Sequence, residues 1–159
     1  MEAPLTVAQG RMRAPLGFQS CKIDGAGRLK LPAKYQEYLK ALPDQNLFLT
    51  EYKGKARIFT NGSWERTVAK IEDKALRKRF TFRAETKGGD LDVDPHGRVT
   101  LPQALRKELK LEDTTVQMRF YEDVITIFSQ EQYDAELAIV NSFGAADQER
   151  LDSLDLDLE

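Results

Sequence analysis

The chain has 159 residues, of which 41% are hydrophobic and 31% charged, the composition of a soluble globular protein with one ordinary domain or two small ones. No apolar run approaches the roughly 20 residues that a membrane helix requires, and the first residues lack the apolar core of a signal peptide. A single cysteine and a single histidine argue against an intramolecular disulfide and against a metal site, and they fit a reducing cytoplasm.

The net charge of −2 is unevenly distributed along the chain. Residues 147–159 carry six acidic side chains and one basic side chain, whereas residues 1–146 carry 23 basic and 20 acidic side chains. Blocks of like charge are usually solvated faces or tails. The overall charge therefore neither requires nor excludes binding to DNA.

The N-terminal part predicts a flexible extension followed by one small mixed unit. Residues 1–17 contain prolines and glycines without hydrophobic periodicity, which is typical of a flexible segment. In the unit that follows, residues 18–62, Pro32 can open a helix because the first helical turn does not need its missing N–H. Lys53-Gly54 favours the tight turn of a hairpin. The predicted elements are a strand 18–23, a turn 25–27, a strand 28–31, a helix 32–42 and hairpin strands 47–52 and 56–60.

A helical connector, residues 63–83, is predicted next. Ser63 is a suitable N-cap, and the apolar side chains Trp64, Val68 and Ile71 fall on one helical face. The basic segment 76–83 is predicted to extend this element. Its charges are those of a solvated helix face or, alternatively, of a surface that contacts DNA.

The second unit, residues 84–128, repeats the order of the first. Its predicted elements are a strand 84–93, a turn 94–97, a strand 98–101, a helix 102–109 and hairpin strands 115–120 and 124–128. Ser129 then opens the capping box of a C-terminal helix, residues 129–143. The acidic tail, residues 144–159, alternates leucine with acid near its end, and we expect it to be disordered rather than to form an edge strand.

An internal repeat relates the two units. The segment DGAGRLKLPAKYQEYLK at residues 24–40 aligns without a gap with DPHGRVTLPQALRKELK at residues 94–110. Four short strands and one short helix bury too little apolar surface to be stable alone. We therefore predict an α+β fold in which two tandem ββαββ copies interleave into one pseudo-dimeric β-barrel, flanked by helices, with a shared core.

The repeated motif D-x-x-G-R is the candidate functional feature. Gly27 and Gly97 can adopt the positive φ of a tight turn, and Asp24 and Asp94 can bond to turn N–H groups or to the following arginine. The rigid turn would then hold one guanidinium group in each copy at the rim of the barrel. Such a group can read a guanine edge or clamp a phosphate. The alternative is that the Asp–Arg pair only stabilises the turn.

The order of these motifs resembles the MraZ family. The resemblance rests on FQSCKIDGAGRLKLPAKYQEYL and on RKRFTFRAETKGGDLDVDPHGRVTLPQALRKEL, and it covers residues 18 to about 140. It implies two AbrB/SpoVT-type swapped-hairpin units and a bacterial transcriptional regulator of the division and cell-wall gene cluster. It also implies ring-shaped homo-oligomers that bind short direct repeats in double-stranded DNA upstream of that cluster. The family's DNA-contacting arginine falls on Arg28, with Arg98 as its counterpart in the second copy.

Nearby lysines distinguish the two turns. Lys22, Lys30 and Lys34 could add contacts to the DNA backbone around Arg28, although they could equally be solvated surface lysines. The corresponding residues of the second copy, Asp92, Thr100 and Ala104, carry no positive charge. We therefore expect the first turn to be the stronger DNA contact, with several copies of the chain needed for useful affinity.

Other functional classes have less support. The chain has no P-loop, dinucleotide-binding fingerprint or nucleophile elbow, so we expect no enzymatic activity, no cofactor and no small-molecule substrate. An AbrB-like antitoxin that binds a protein through its acidic tail and a ring scaffold without DNA binding are the alternative interpretations. The expected location is the cytoplasm, in association with the nucleoid.

Overall fold

The computed structural model describes residues 13–142 and 144–158. The strands are β1 (Gly17–Ile23), β2 (Arg28–Lys30), β3 (Leu47–Tyr52), β4 (Lys55–Thr60), β5 (Gly89–Leu91), β6 (Arg98–Thr100), β7 (Thr114–Tyr121) and β8 (Val124–Ser129). The helices are α1 (Ala33–Lys40), α2 (Asn61–Ala69), α3 (Lys74–Thr86), α4 (Gln103–Leu109), α5 (Gln130–Val140) and α6 (Ala145–Asp152). Within the described ranges, no helix combines the length and apolar character needed to cross a bilayer. The predicted N-terminal extension lies mostly outside the described residues.

The described residues form two compact units, one ending at Ser129 and the other beginning at Gln130. All eight strands and helices α1–α4 belong to the first unit, and α5 and α6 form the second. The acidic tail differs from its predicted disorder because Ala145–Asp152 is helical. Asp147 lies in the first turn, where a negative charge favours a helix, and Gln148 Nε2 donates to Asp152 Oδ1 one turn later at 2.9 Å.

The eight strands form one nearly closed antiparallel barrel in which the two copies interleave. Their order is β5-β3-β4-β8-β7-β1-β2-β6, so both edge strands, β5 and β6, come from the second copy and are consecutive along the chain. Four of the recorded strand pairs, β1–β7, β3–β5, β2–β6 and β4–β8, join one copy to the other. The predicted pseudo-dimeric α+β barrel is thus confirmed.

A pseudo-twofold axis passes through two strand pairs on opposite sides of the barrel. Leu29 lies opposite its repeat equivalent Val99 in the β2–β6 pair. On the other side, Arg57 lies opposite its equivalent Thr126 in the β4–β8 pair. We call these two sides the β2–β6 ribbon and the β4–β8 pole. The repeat therefore brings equivalent residues of the two copies together at two separate places on the barrel.

The barrel interior is built by both copies together. The fully buried side chains include Ile23, Leu29 and Leu49 from the first copy and Val99 and Ile127 from the second. Completely burying one such side chain contributes roughly 1.5–3 kcal/mol. Neither copy has a separate apolar cluster of its own among the described residues, which is the physical reason why the copies interleave.

Both long hairpins turn through two residues with positive φ. Lys53 and Gly54 have φ of 53° and 79°, and Glu122 and Asp123 have φ of 52° and 63°. Two consecutive left-handed residues define the type I′ turn, whose twist matches that of the flanking strands. The second turn lacks glycine, but its Asp123 Oδ2 accepts a hydrogen bond from Thr60 Oγ1 at 2.8 Å. This contact holds the hairpin of the second copy against the first.

Two predicted boundaries are wrong around the connector. Helix α2 begins at Asn61 and its N-cap is Thr60, whose Oγ1 accepts from Ser63 N at 3.1 Å, so Ser63 is not the cap. The predicted strand 84–93 is reduced to β5, because α3 continues to Thr86. Helix α3 extends this far because it packs on β3, where Thr50 Oγ1 donates to Ala84 O at 2.7 Å.

Candidate nucleic-acid interface

The β2–β6 ribbon places both motif arginines on one outward face. Its opposed pairs are Arg28 with Thr100, Leu29 with Val99, and Lys30 with Arg98. Because strand side chains alternate and Leu29 and Val99 are buried, the other four side chains point away from the core. Arg28 and Arg98 are diagonal neighbours, a relation that places backbone positions roughly 7–8 Å apart.

Each arginine is held by the aspartate of its own turn. Asp24 Oδ1 accepts from the backbone N–H groups of Ala26 (3.0 Å) and Arg28 (2.8 Å), and its Oδ2 accepts from Arg28 Nε at 2.8 Å. The second turn repeats this geometry: Asp94 Oδ1 accepts from His96 N (2.8 Å) and Arg98 N (2.9 Å), and its Oδ2 accepts from Arg98 Nε at 2.9 Å. The pattern in the sequence therefore corresponds to the same local structure twice.

These hydrogen bonds leave the outer part of each guanidinium group available. Only Nε of Arg28 and of Arg98 has a recorded partner among the described residues, so the Nη groups remain free to bind a ligand. The two side chains are 43% and 31% exposed. Stabilising the turn and presenting a donor are therefore compatible roles for the same side chain.

The aspartates are held in their charged form. The hydrogen bond from the Arg28 backbone N–H lowers the pKa of Asp24 most, desolvation opposes it, and the bond from the guanidinium lowers it further. Asp94 has a lowered pKa for the same reasons, with Arg98 as the partner. Carboxylates that accept several N–H bonds favour the ionised state in this way.

We expect both turns to loosen only in strong acid. Because the folded pKa of Asp24 lies below its unfolded value, its contribution to stability is present above the unfolded pKa of about 3.9 and is lost as pH falls through the folded pKa. NMR titration of the carboxyl carbons of the folded protein would measure the pKa values of Asp24 and Asp94 directly. A pKa of Asp24 at or above the ordinary value would contradict this account of the turn.

Each turn is also supported by the helix of the other copy. The Leu31 N–H donates to Gly97 O and the Leu101 N–H donates to Gly27 O, both at 2.9 Å. A Cβ atom at Gly27 would collide with the guanidinium of Arg106, which donates to Leu101 O.

The equivalent contact in the second turn uses a neutral side chain. A Cβ atom at Gly97 would collide with the amide of Gln36, whose Nε2 donates to Leu31 O at 2.7 Å. Sequence reasoning missed Gln36 and Arg106. Their common signal is that each follows the repeated Leu-Pro by four residues, at equivalent repeat positions. The first turn is thus backed by a buried cation and the second by a neutral amide.

The three candidate lysines have different surroundings. Lys30 lies in the ribbon opposite Arg98, so it belongs to the common face and not to the first turn alone. Lys22 lies in β1, where its Nζ is 3.6 Å from Asp113 Oδ1 in an exposed ion pair. Lys34 is exposed on α1. The structure therefore brings Lys30, but not Lys34, onto the ribbon with the arginines.

Part of the basic charge on α3 is already paired. Arg83 Nη2 is 3.4 Å from Glu51 Oε1, and Lys87, the residue that follows α3, has its Nζ 3.2 Å from Glu108 Oε2. Arg77 Nη1 donates to the carbonyl of Ile71 at 2.9 Å. These contacts fix the helix to its surroundings, and they favour the interpretation of α3 as a structural and solvated helix.

Comparison with known proteins gives one consistent result. The family model described as "MraZ protein, putative antitoxin-like" matches residues 88–154. A protein of Neisseria meningitidis named "Transcriptional regulator MraZ" is 30% identical over 127 residues, which cover 76% of this chain and 83% of the relative. A protein of Acidobacterium capsulatum with the same name is 31% identical over 60% of this chain and 68% of the relative. Another, from Shewanella frigidimarina, is 26% identical over 85% of this chain and 95% of the relative.

Proposed function

Because the chain belongs to the MraZ family, whose relatives are named transcriptional regulators, we propose that it regulates transcription by binding double-stranded DNA through the β2–β6 ribbon. The observation that carries the proposal is the pair of identical Asp–Arg turns on one face of that ribbon. The proposal requires no catalytic residue and no cofactor.

The charges of the β2–β6 ribbon suit the major groove of DNA. A two-stranded antiparallel ribbon can enter this groove, and arginine can donate two parallel hydrogen bonds to the O6 and N7 atoms of guanine. Arg28 and Arg98 have free Nη groups for such bonds, and Lys30, which lies opposite Arg98 on the same face, can contact a phosphate. The aspartates restrain the guanidinium groups, so less side-chain entropy is lost on binding.

One ribbon carries too few charges for tight binding by itself. Each neutralised phosphate adds a modest, salt-dependent increment, so a single chain with three cations on its ribbon should bind weakly. We propose that the chain acts as a homo-oligomeric ring, whose several ribbons bind successive short direct repeats upstream of the division and cell-wall genes. Binding of one ribbon then raises the effective concentration of the next. Such a regulator would act in the cytoplasm at the nucleoid.

A salt titration tests this function. We expect the protein to bind a labelled duplex that contains the direct repeats more tightly than a scrambled duplex of equal length. We also expect the logarithm of the association constant to fall linearly with the logarithm of salt concentration, by about 0.9 per phosphate contact. Fluorescence anisotropy at a series of salt concentrations gives both quantities. Absence of binding at low salt would overturn the proposal and favour a scaffold that does not bind DNA.

A further inference from the structure

A cavity of about 420 Å³ lies at the β4–β8 pole, on the side of the barrel opposite the ribbon. Its floor is the outer face of the sheet and its wall is formed by α2 and α3. A volume of this size suits a small organic molecule, since ligand pockets are typically about 300–1,000 Å³. Neither the repeated turns nor the proposed contact with DNA uses this cavity.

Two arginines of the floor lie in one row across three strands. Arg57 on β4 is opposite Thr126 on β8, and Thr126 is opposite Arg119 on β7. The backbones of β4 and β7 are therefore two strand spacings apart, which is roughly 9–10 Å. Opposed residues point to the same face, so both guanidinium groups and the threonine hydroxyl reach the same side of the sheet.

Neither arginine of the row has a carboxylate partner among the described residues. Arg57 donates only to the carbonyl of Tyr52, from Nε at 3.3 Å and from Nη2 at 3.2 Å. Arg119 contacts aromatic rings, with its guanidinium carbon 4.5 Å from the centre of the Tyr121 ring. Burial lowers the pKa of Arg57, and the neighbouring Tyr52 and Glu51 partly offset that effect. A partly buried guanidinium without a paired anion is poorly compensated, so an incoming anion would be favoured.

The acidic groups of the cavity compensate this row only in part. Glu51 is buried, and it accepts from Gly54 N at 2.7 Å and pairs with Arg83, the third arginine of the lining. Glu122 also lines the cavity, at the exposed turn between β7 and β8. The lining therefore contains three arginines and two carboxylates, and one of those carboxylates, Glu51, is already paired with Arg83.

The walls of the cavity are aromatic. Trp64 and Phe80 are stacked with ring centres 5.8 Å apart and planes inclined by 23°. Tyr52 and Tyr121, which are equivalent residues of the two copies, lie beside the two row arginines and are 40% and 49% exposed. Flat aromatic groups prefer offset or edge contacts with rings of this kind. The cavity thus combines aromatic walls with unpaired cations.

We propose that this cavity binds a small aromatic anion, a flat ring that carries a phosphate or a carboxylate. Arg57 and Arg119 bind the anionic group, and the ring packs between the aromatic walls. Nucleoside monophosphates and aromatic carboxylates share this chemistry, so both serve as probes.

Trp64 provides a direct test because it is the only tryptophan of the chain and lines the cavity. The full-length protein is titrated with AMP, with UMP and with benzoate, and Trp64 fluorescence is followed, with isothermal calorimetry as a second readout. We expect a saturable change of Trp64 fluorescence with at least one of these probes. Whether AMP or UMP, or instead benzoate, gives the saturable change distinguishes a nucleotide ligand from an aromatic carboxylate. Inorganic phosphate and uridine, which each lack half of the recognised chemistry, should bind at least tenfold more weakly.

Variants then assign the binding to the arginine row. Arg57→Gln and Arg119→Gln are each expected to weaken binding about tenfold or more, because each removes a charge-assisted contact to the anion. Arg79→Gln is the matched control, since it removes a positive charge from an exposed position of α3 that does not line the cavity. Absence of saturable binding by both methods, or equal binding by the wild type and both row variants, would overturn the proposal. DNA binding by the ribbon would be unaffected by either result.

Discussion

Replacing Arg28 with glutamine is expected to reduce the affinity of each ribbon for its direct repeat roughly 5- to 150-fold, the range that corresponds to one bidentate guanine contact of about 1–3 kcal/mol. Glutamine keeps a polar side chain but is shorter, and it lacks the fixed fork of donors and the positive charge. In the proposed ring, several ribbons bind at once and their losses of affinity combine, so binding should be nearly abolished. Anisotropy titrations with the direct-repeat duplex measure the change.

Arg98→Gln is the matched variant, because Arg98 has the same Asp–Arg geometry in the second turn. We expect it to lose less affinity than Arg28→Gln. Arg28 is more exposed, and its turn is backed by the buried cation of Arg106, whereas the turn of Arg98 is backed by neutral Gln36. Circular dichroism and thermal unfolding control for damage to the turns. If both variants fold and bind DNA as the wild type does, the arginines only stabilise their turns and the DNA surface lies elsewhere.

Replacing Gly88 with alanine is expected to cost roughly 1–3 kcal/mol of the free energy of unfolding, or more, because the new methyl group has no room. A Cβ atom at Gly88 would collide with the backbone carbonyl of Leu49 and would lie 3.0 Å from Thr50 Cα. These are backbone atoms of strand β3 and cannot rotate away as a flexible side chain could. The substitution would therefore separate β5 from β3, to which it is paired through Leu49 and Gly89.

Gly89→Ala is the control for this prediction. Gly89 is the adjacent residue, and a Cβ atom there would have no neighbour within 4 Å. Its effect should stay within about 0.5 kcal/mol, as is usual for substitutions away from crowded positions. Urea unfolding of both variants, followed by circular dichroism, measures the difference. Equal stability of the two variants would contradict the close approach of Gly88 to the backbone of β3.

Local sequence signals predicted most of the architecture. The gapless match of residues 24–40 with residues 94–110 indicated two copies, and the small size of each copy indicated a shared core. The interleaved barrel confirms that prediction. The turn motif also predicted its local structure, since the aspartate of this turn bonds to groups two and four residues further along the chain and a glycine at positive φ needs no distant partner.

Features that depend on contacts between residues far apart in the sequence were missed or misplaced. The predicted strand 84–93 was too long because α3 is extended by its contact with Thr50, 34 residues away from Ala84 in sequence. The N-cap of α2 is Thr60 and not the predicted Ser63, and the Thr60 hydroxyl also donates a hydrogen bond to Asp123 of the other copy. Hydrophobic periodicity contains no information about such partners.

The sequence by itself determined the number of copies, the order of their elements and the geometry of the Asp–Arg turns. The elements and the turns depend on residues that are close along the chain, and the number of copies follows from the match between residues 24–40 and residues 94–110. Only the tertiary structure decided that Arg28 and Arg98 share one face, that Arg106 supports the turn of the other copy, and that Arg57 and Arg119 lie in one row. Strand register decides these neighbours, because it is set by how two interleaved copies fill a common core.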